Sequence, residues 1–114
     1  MSLTKDPELL KEIECMPKEA VVKAQFKVRY LRGSAMNAYE HDCFVTKEGV
    51  YLIPSKDEAF ESPKFIDVNS IAECKKKVFF GPNLNIFLVD GSKIWLQCSK
   101  RSDLINAINM MKLQ

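Results

Sequence analysis

The chain has 114 residues, of which 46% are hydrophobic and 28% are charged, and its formal net charge is +2. This length is enough for one continuous core, and the composition is that of a globular domain rather than a disordered or fibrous chain. No apolar run is long enough for a transmembrane segment, and the N-terminus lacks the pattern of a secretion signal. The small, dispersed positive charge does not favour a nucleic-acid partner. We therefore expect one cytoplasmic domain.

The four cysteines are widely spaced and form no C-x-x-C motif. Each lies in an apolar or strand-like stretch, namely Cys15, Cys43, Cys74 and Cys98. We expect them to be reduced and buried, as free cysteines in cytosolic proteins usually are. A framework of two disulfides is the alternative.

Residues 1–18 are predicted to be a leader with a short helix, and residues 19–114 the main domain. Asp6 can cap free amides, and Pro7 suits the first helical position. Leu9, Leu10 and Ile13 form an apolar stripe that ends before Pro17. Such a short helix is stable only when it is docked on the rest of the protein.

Alternating apolar and polar residues from Ala20 to Tyr30 predict a long strand with one face in the core and the other in water. A loop is expected over Gly33–Glu40, and strands over His41–Thr46 and Val50–Ile53. The turn between these two strands contains Gly49, which we expect to adopt a positive φ.

Four further strands and a helix are predicted in the second half. The strands are residues 64–68, 71–80, 84–89 and 93–98, and the helix is residues 99–113, with Ser102 as its cap and Asp103 in its first turn. Asp90-Gly91 indicates a hairpin. Only a loop of odd length, such as 89–91, puts the aliphatic residues of both hairpin strands on one face. Phe87 and Trp95 then share the opposite face.

This order of elements resembles the pleckstrin-homology superfold, and residues 19–111 look most like a GRAM-type domain. The residues that carry the resemblance are Phe44-Val45-Thr46-Lys47-Glu48-Gly49-Val50-Tyr51-Leu52 and Phe65-Ile66-Asp67-Val68-Asn69-Ser70-Ile71. The resemblance implies a mainly β fold, a partly open barrel of about seven antiparallel strands capped by a C-terminal helix. One departure is that pleckstrin-homology domains usually have a tryptophan in this helix, whereas Trp95 lies on the preceding strand. GRAM-type members tolerate this better.

The sequence contains no pattern typical of catalysis, of a metal site or of a nucleotide-binding loop. His41 is the only histidine, and we expect it to be a solvated residue at the start of a strand. We therefore predict a protein that is not an enzyme and has no cofactor or metal, and a small enzyme is the least favoured alternative.

Two groups of residues are candidates for binding. The first is basic and lies on or next to the first strand: Lys23, Lys27, Arg29 and Arg32. In membrane-binding pleckstrin-homology domains this region holds phosphoinositide phosphates, but a solubilising outer face is the more favoured explanation here.

The second group consists of Phe87 and Trp95 together with Lys75 and Lys77. An exposed aromatic pair indicates an interface, although the N-terminal helix or a second subunit could cover it. The lysines would protect a strand edge or contact a partner. The first hypothesis is a module for protein association, and the alternative is weak, peripheral binding to anionic membrane lipids.

Overall fold

The computed structural model describes residues 21–32, 37–55, 58, 62–76 and 83–113. The elements are the strands β1 (Val22–Arg32), β2 (Asn37–Thr46), β3 (Gly49–Pro54), β4 (Lys64–Asp67), β5 (Ile71–Lys76), β6 (Leu84–Leu88) and β7 (Lys93–Gln97), the 3-10 turn Val68–Ser70, and the helix α1 (Arg101–Lys112). The predicted N-terminal helix lies outside the described residues.

All seven strands form one antiparallel sheet in the order β4-β3-β2-β1-β7-β6-β5. The long strand β1 pairs with β2 along its length and with β7 through Arg29–Leu31. It therefore joins the two halves of the sheet. This architecture confirms the predicted fold of seven antiparallel strands with a C-terminal helix.

The main hydrophobic core lies on one face of the sheet, which we call the inner face. It includes Val28, Cys43 and Leu52 from the first half of the sheet, and Ile86 and Leu96 from the second. The helix α1 closes the core with three buried side chains, Leu104, Ile108 and Met111. Lys100 is the residue before the first helical turn and makes no side-chain cap, so the prediction that Ser102 is the cap is wrong; Asp103 is in the first turn as predicted.

The hairpin between β6 and β7 has the predicted register. Leu84 pairs with Leu96, and Ile86 pairs with Ile94. Leu88 N–H donates to the Ser92 carbonyl at 2.9 Å, which leaves a three-residue loop. Gly91 takes a φ of 92°, a conformation that side chains with a Cβ rarely adopt.

Gly49 is required at the turn between β2 and β3 for a reason that differs from the prediction. Gly91 is the only glycine with a positive φ in the described part of the chain, so the positive φ expected for Gly49 is wrong. A Cβ on Gly49 would instead lie 2.1 Å from the Ile66 carbonyl oxygen of β4. The Thr46 hydroxyl closes this turn by donating to the Gly49 carbonyl at 3.0 Å.

The strand β3 and the second part of β2, from His41 to Thr46, are buried on both faces, which the sequence did not predict. Cys43 and Leu52 face the inner core. Because successive side chains of a strand point to opposite faces, Phe44, Tyr51 and Ile53 lie on the outer face. They are nevertheless only 0%, 3% and 1% exposed.

Three of the cysteines are described, and all three are buried free thiols, as predicted: Cys43, Cys74 and Cys98. Burial raises the pKa of the Cys74 thiol to about 12, against the smaller lowering effect of Lys112. Burial likewise raises the pKa values of Cys43 and Cys98. These thiols are therefore neutral at physiological pH. Cys15 lies outside the described residues.

Candidate functional site

The basic residues of β1 form a row along the strand. Lys27 and Arg29 are exposed and lie on the outer face of the sheet. Lys23 is also exposed, but it lies where the pairing of β1 with β2 is irregular, between Val22 and Ala24. Six residues of strand separate the first from the last, a distance of about 20 Å. Arg32 ends the strand, and its side chain lies outside the described part. The row therefore does not converge on a single point.

Acidic residues of β2 face part of this basic row. Lys27 lies opposite Asp42 in the register, and Arg29 lies opposite Glu40. The Lys27 ammonium is 3.0 Å from the Asp42 carboxylate. The surface thus presents alternating charges rather than a continuous positive field.

A polar cleft opens beside this row, where β7 ends and the chain turns towards α1. Its volume is about 360 Å³. The lining residues are Lys27, Val28, Arg29, Glu40, Asn83, Gln97 and Ser99. Three charged residues and three uncharged polar residues can therefore contact a ligand bound in the cleft.

Asn83 fixes one wall of the cleft. Its side-chain amide donates to the Cys98 carbonyl at 2.9 Å, and its side-chain oxygen accepts from the Cys98 N–H at 3.0 Å. The Arg101 guanidinium donates to the Asn83 carbonyl at 3.3 Å. The corner between β7 and α1 is thus held by side-chain bonds to the backbone, which gives the cleft a fixed shape.

Lys23 lies at the other end of β1, in a separate groove of about 180 Å³ between the strand and the helix. Lys47 and Met110 also line this groove. A single headgroup cannot occupy both this groove and the cleft at Arg29, because the row of basic residues spans about 20 Å.

The two predicted aromatic residues lie on the outer face of the second half of the sheet. We call the residues Leu31, Phe87, Lys93 and Trp95 the outer aromatic face. Trp95 lies between Leu31 of β1 and Asn85 of β6 in the register, and Phe87 lies opposite Lys93. Phe87 and Trp95 are therefore diagonal neighbours, as the predicted register requires.

The outer aromatic face combines apolar and cationic groups. Phe87 and Trp95 are half-buried, and Leu31 is buried. The Lys93 ammonium lies 5.5 Å from the centre of the Trp95 ring, which is within reach of a cation–π interaction. Sequence reasoning missed Leu31, because alternation along β1 assigned its side of the strand to water.

One of the two predicted lysines, Lys75, lies on the edge strand β5. Lys75 is exposed and lies 3.4 Å from the Glu73 carboxylate. Since β5 is the last strand in the sheet order, Lys75 occupies an edge position, as the edge-protection explanation requires. Lys77 lies outside the described residues.

His41 is not solvated, which corrects the sequence-based expectation. The strand β2 begins at Asn37 rather than at His41, so His41 is inside the strand and 0% exposed. Its Nδ1 is 2.8 Å from the Tyr39 carbonyl, and its ring centre is 5.5 Å from that of Tyr30. The Lys64 ammonium lies 4.5 Å from the same Tyr30 ring. No local sequence signal links these residues, since they come from three strands.

The described residues also bear on two other kinds of site. Within the ranges given above, no cluster of three or more His, Cys, Asp or Glu residues could hold a metal ion. The helix in this part of the chain is not long and apolar enough to cross a membrane.

No family model and no curated protein matches this chain. Solved structures do. The C-terminal domain of an unknown protein from Leishmania infantum superposes with a TM-score of 0.72 at 14% identity, covering 95% of this chain and 91% of that domain. The linker-DH/PH domains of p115-RhoGEF give a TM-score of 0.70 at 12% identity, covering 96% of this chain and 34% of that one.

The C-terminal PH domain of pleckstrin, solved in complex with an inositol pentakisphosphate, gives a TM-score of 0.63 at 18% identity. The match covers 81% of this chain and 96% of that domain. Identities this low establish the fold alone. The chain therefore has a pleckstrin-homology-like fold.

Proposed function

We propose that this chain is a non-catalytic module of the GRAM type within the pleckstrin-homology superfold, and that it associates with another protein through its outer aromatic face. It acts in the cytoplasm or at the membrane surface. The observation that carries the proposal is Trp95, half-buried on the outer face of a strand that has its core on the other side.

The chemistry of the outer aromatic face suits a protein partner. Trp is among the residues that most often dominate binding energy in protein interfaces, where it lies near the centre and polar groups surround it. Leu31 pairs with Trp95 in the register and is itself buried, and Lys93 supplies a charged rim. The exposed Lys75 and its neighbour Glu73 continue this rim on the edge strand. Lys77, two residues after Lys75 in the sequence, is a further candidate for the proposed interface.

Binding of anionic lipids is the second candidate, because Lys27 and Arg29 line the polar cleft and the pleckstrin neighbour was solved with an inositol phosphate. A highly charged headgroup requires several cations close together. In this chain Asp42 neutralises Lys27 at 3.0 Å, Glu40 lines the same cleft, and Lys23 lies in a different groove. These acids favour the protein partner.

The proposal is tested by photo-crosslinking in cells that express the protein natively. p-Benzoylphenylalanine replaces Gln97, an exposed residue that pairs with Arg29 beside the outer aromatic face. A matched control places it at Asn109, an exposed position of α1. We expect one protein to be captured from position 97 and not from position 109. Equal capture from both positions contradicts the proposal.

The captured partner is then purified and titrated with the full chain by calorimetry. Trp95→Ala and Phe87→Ala are each expected to weaken binding at least about tenfold, since truncating such an anchor costs more than about 1.4 kcal/mol. Met110→Ala, at a side chain that is 60% exposed on the helix, is the control and leaves binding unchanged. Sedimentation with vesicles, with and without phosphoinositides, tests the lipid alternative. Salt-sensitive binding that Lys27→Glu with Arg29→Glu abolishes supports that alternative instead.

A further inference from the structure

The groove between the start of β1 and the last turns of α1 has a volume of about 180 Å³. Its buried lining residues are Thr46 and Met111, and its half-buried lining residues are Ala24 and Ala107. The Thr46 hydroxyl is already bonded to the Gly49 carbonyl at 3.0 Å. Because each alanine side chain is a single methyl group, these positions leave space that larger residues would fill. The deeper part of the groove is therefore open and mainly apolar.

Two lysines lie at the exposed side of this groove. Lys23 and Lys47 are exposed and both line it, together with the exposed Met110. They lie on neighbouring strands, since Val22 pairs with Thr46. Neither lysine forms an ion pair within the described part of the chain. An apolar groove with two uncompensated ammonium groups suits a ligand that has an apolar chain and one negative charge.

Acidic side chains do not compensate these two charges. Among the described residues that line the groove, none is acidic. Glu48 follows Lys47 in the turn and Asp103 lies one helical turn before Ala107, but neither of these acids lines the groove. The polar cleft on the other side of β1 differs in this respect, because Glu40 lines it.

We propose that this groove binds a free medium-chain fatty acid, with its carboxylate at Lys23 and Lys47 and its chain against Ala24, Ala107 and Met111. An apolar cavity of about 150 Å³ holds benzene, so a groove of about 180 Å³ accepts roughly seven aliphatic carbons. Methionine side chains adapt readily to the shape of an apolar ligand. The site is separate from the outer aromatic face, and the inference does not rest on the proposed function.

The test titrates octanoate into the full chain with ¹³C-labelled methionine methyl groups. We expect saturable shifts of the methyl signals of Met110 and Met111, whereas the amide signal of Phe87 does not move. Octylamine reverses the charge of the ligand and acetate lacks its chain, so each is expected to bind at least about tenfold more weakly. Equal affinity for octanoate and either of these two compounds overturns the proposal.

The first variant fills the groove without changing any charge. Ala107→Leu introduces a larger side chain that is compatible with a helix, and it is expected to weaken octanoate binding at least about tenfold, because the chain loses its space. Asn109→Leu adds the same side chain at an exposed position of α1 that does not line the groove, and it leaves the affinity unchanged. Unchanged amide shifts in β6 and β7 show that both variants are folded. Parent-like binding by Ala107→Leu overturns the proposal.

The second variant removes the charges and keeps the apolar parts of the side chains. Lys23→Met with Lys47→Met is expected to weaken octanoate binding about fivefold, as for two exposed ion pairs, and to abolish the preference for octanoate over octylamine. Lys75→Met with Lys76→Met removes the same number of charges from β5 and leaves both properties unchanged. Equal effects of the two double variants contradict a carboxylate site at Lys23 and Lys47.

A membrane lipid is the other source of an aliphatic chain with a negative charge. Octanoate is therefore used below the concentration at which it forms micelles, and phosphatidylserine vesicles are titrated separately. We expect the vesicles to leave the methyl signals of Met110 and Met111 unchanged. Shifts or broadening caused by the vesicles mean that the groove faces a membrane surface, and they contradict a site for the free acid.

Discussion

Lys27 of β1 and Asp42 of β2 form a cross-strand ion pair of 3.0 Å, in which the lysine side chain is 73% exposed and the aspartate side chain only 10% exposed. The two residues are directly opposed in the register. Since a nearly buried carboxylate is costly without a counter-charge, Lys27 has a structural role that Lys23 lacks. A lysine that is engaged in this way is less available to a ligand.

We predict that Lys27→Met lowers the free energy of unfolding by about 1 to 2 kcal/mol, because it leaves the Asp42 carboxylate without its partner. Urea denaturation measures this. Lys23→Met is the matched control, with an expected change below about 0.5 kcal/mol. Equal losses for the two substitutions would mean that the ion pair does not stabilise the fold.

Gly49→Ala is expected to lower the free energy of unfolding by about 3 kcal/mol, since its Cβ would lie 2.1 Å from a backbone oxygen that cannot move freely. Gly91→Ala meets open space and costs only the strain of its positive φ, about 1 to 2 kcal/mol. Thermal denaturation of the two variants checks the order. If Gly91→Ala lowers the melting temperature more than Gly49→Ala does, β3 and β4 do not approach each other closely at Gly49.

Asn83→Ala is expected to cost about 2 kcal/mol, because it removes both side-chain bonds to the Cys98 backbone. Asn85→Ala is the comparison two residues away. The side-chain oxygen of Asn85 is buried without a hydrogen bond, so its removal should change stability by less than about 0.5 kcal/mol. Chemical denaturation separates the two. Similar losses of unfolding free energy in the two variants would mean that the hydrogen bonds of the Asn83 side chain do not hold this wall of the cleft.

The buried thiols predict a loss of stability in alkaline solution. Burial raises the pKa of Cys74 from 9.0 to about 12, so the folded state holds this proton where the unfolded state releases it. Its contribution is complete below pH 9 and is lost as the pH rises towards 12. At pH 10 the loss from this one thiol is about 1.4 kcal/mol.

Unfolding free energies of the parent chain and of Cys74→Ala, measured from pH 8 to 10.5, test this. The parent is expected to lose more stability than the variant over this range. Parallel pH profiles would mean that the thiol titrates alike in the folded and unfolded chains.

The fold was predictable from the sequence where one face of a strand is apolar and the other polar. Alternation of apolar and polar residues predicted which face of β1 lies in the core. The Asp90-Gly91 turn and the aliphatic pattern predicted the register of β6 against β7. Alternation gave no guide to the two faces of β3 and of the second part of β2, because both faces are buried there and apolar residues do not alternate with polar ones. His41 was misjudged because it was expected to begin a strand, whereas β2 begins at Asn37.

The candidate site was predictable only in part. The diagonal placement of Phe87 and Trp95 followed from the register, but the packing of Leu31 beside Trp95 depends on the pairing of β1 with β7, strands more than 60 residues apart. The ion pair of Lys27 likewise depends on β2. The sequence of one strand identifies its basic residues, but it does not show which acidic residues of the neighbouring strand face them.

The most direct test uses Trp95, the only tryptophan in the chain. Replacing it with 5-fluorotryptophan gives one ¹⁹F NMR resonance from the centre of the outer aromatic face. The account predicts that this resonance shifts or broadens when the crosslinked partner is added, and that phosphoinositide vesicles leave it unchanged. A partner that binds without moving the resonance, or vesicles that move it, would contradict the claim that this face binds protein.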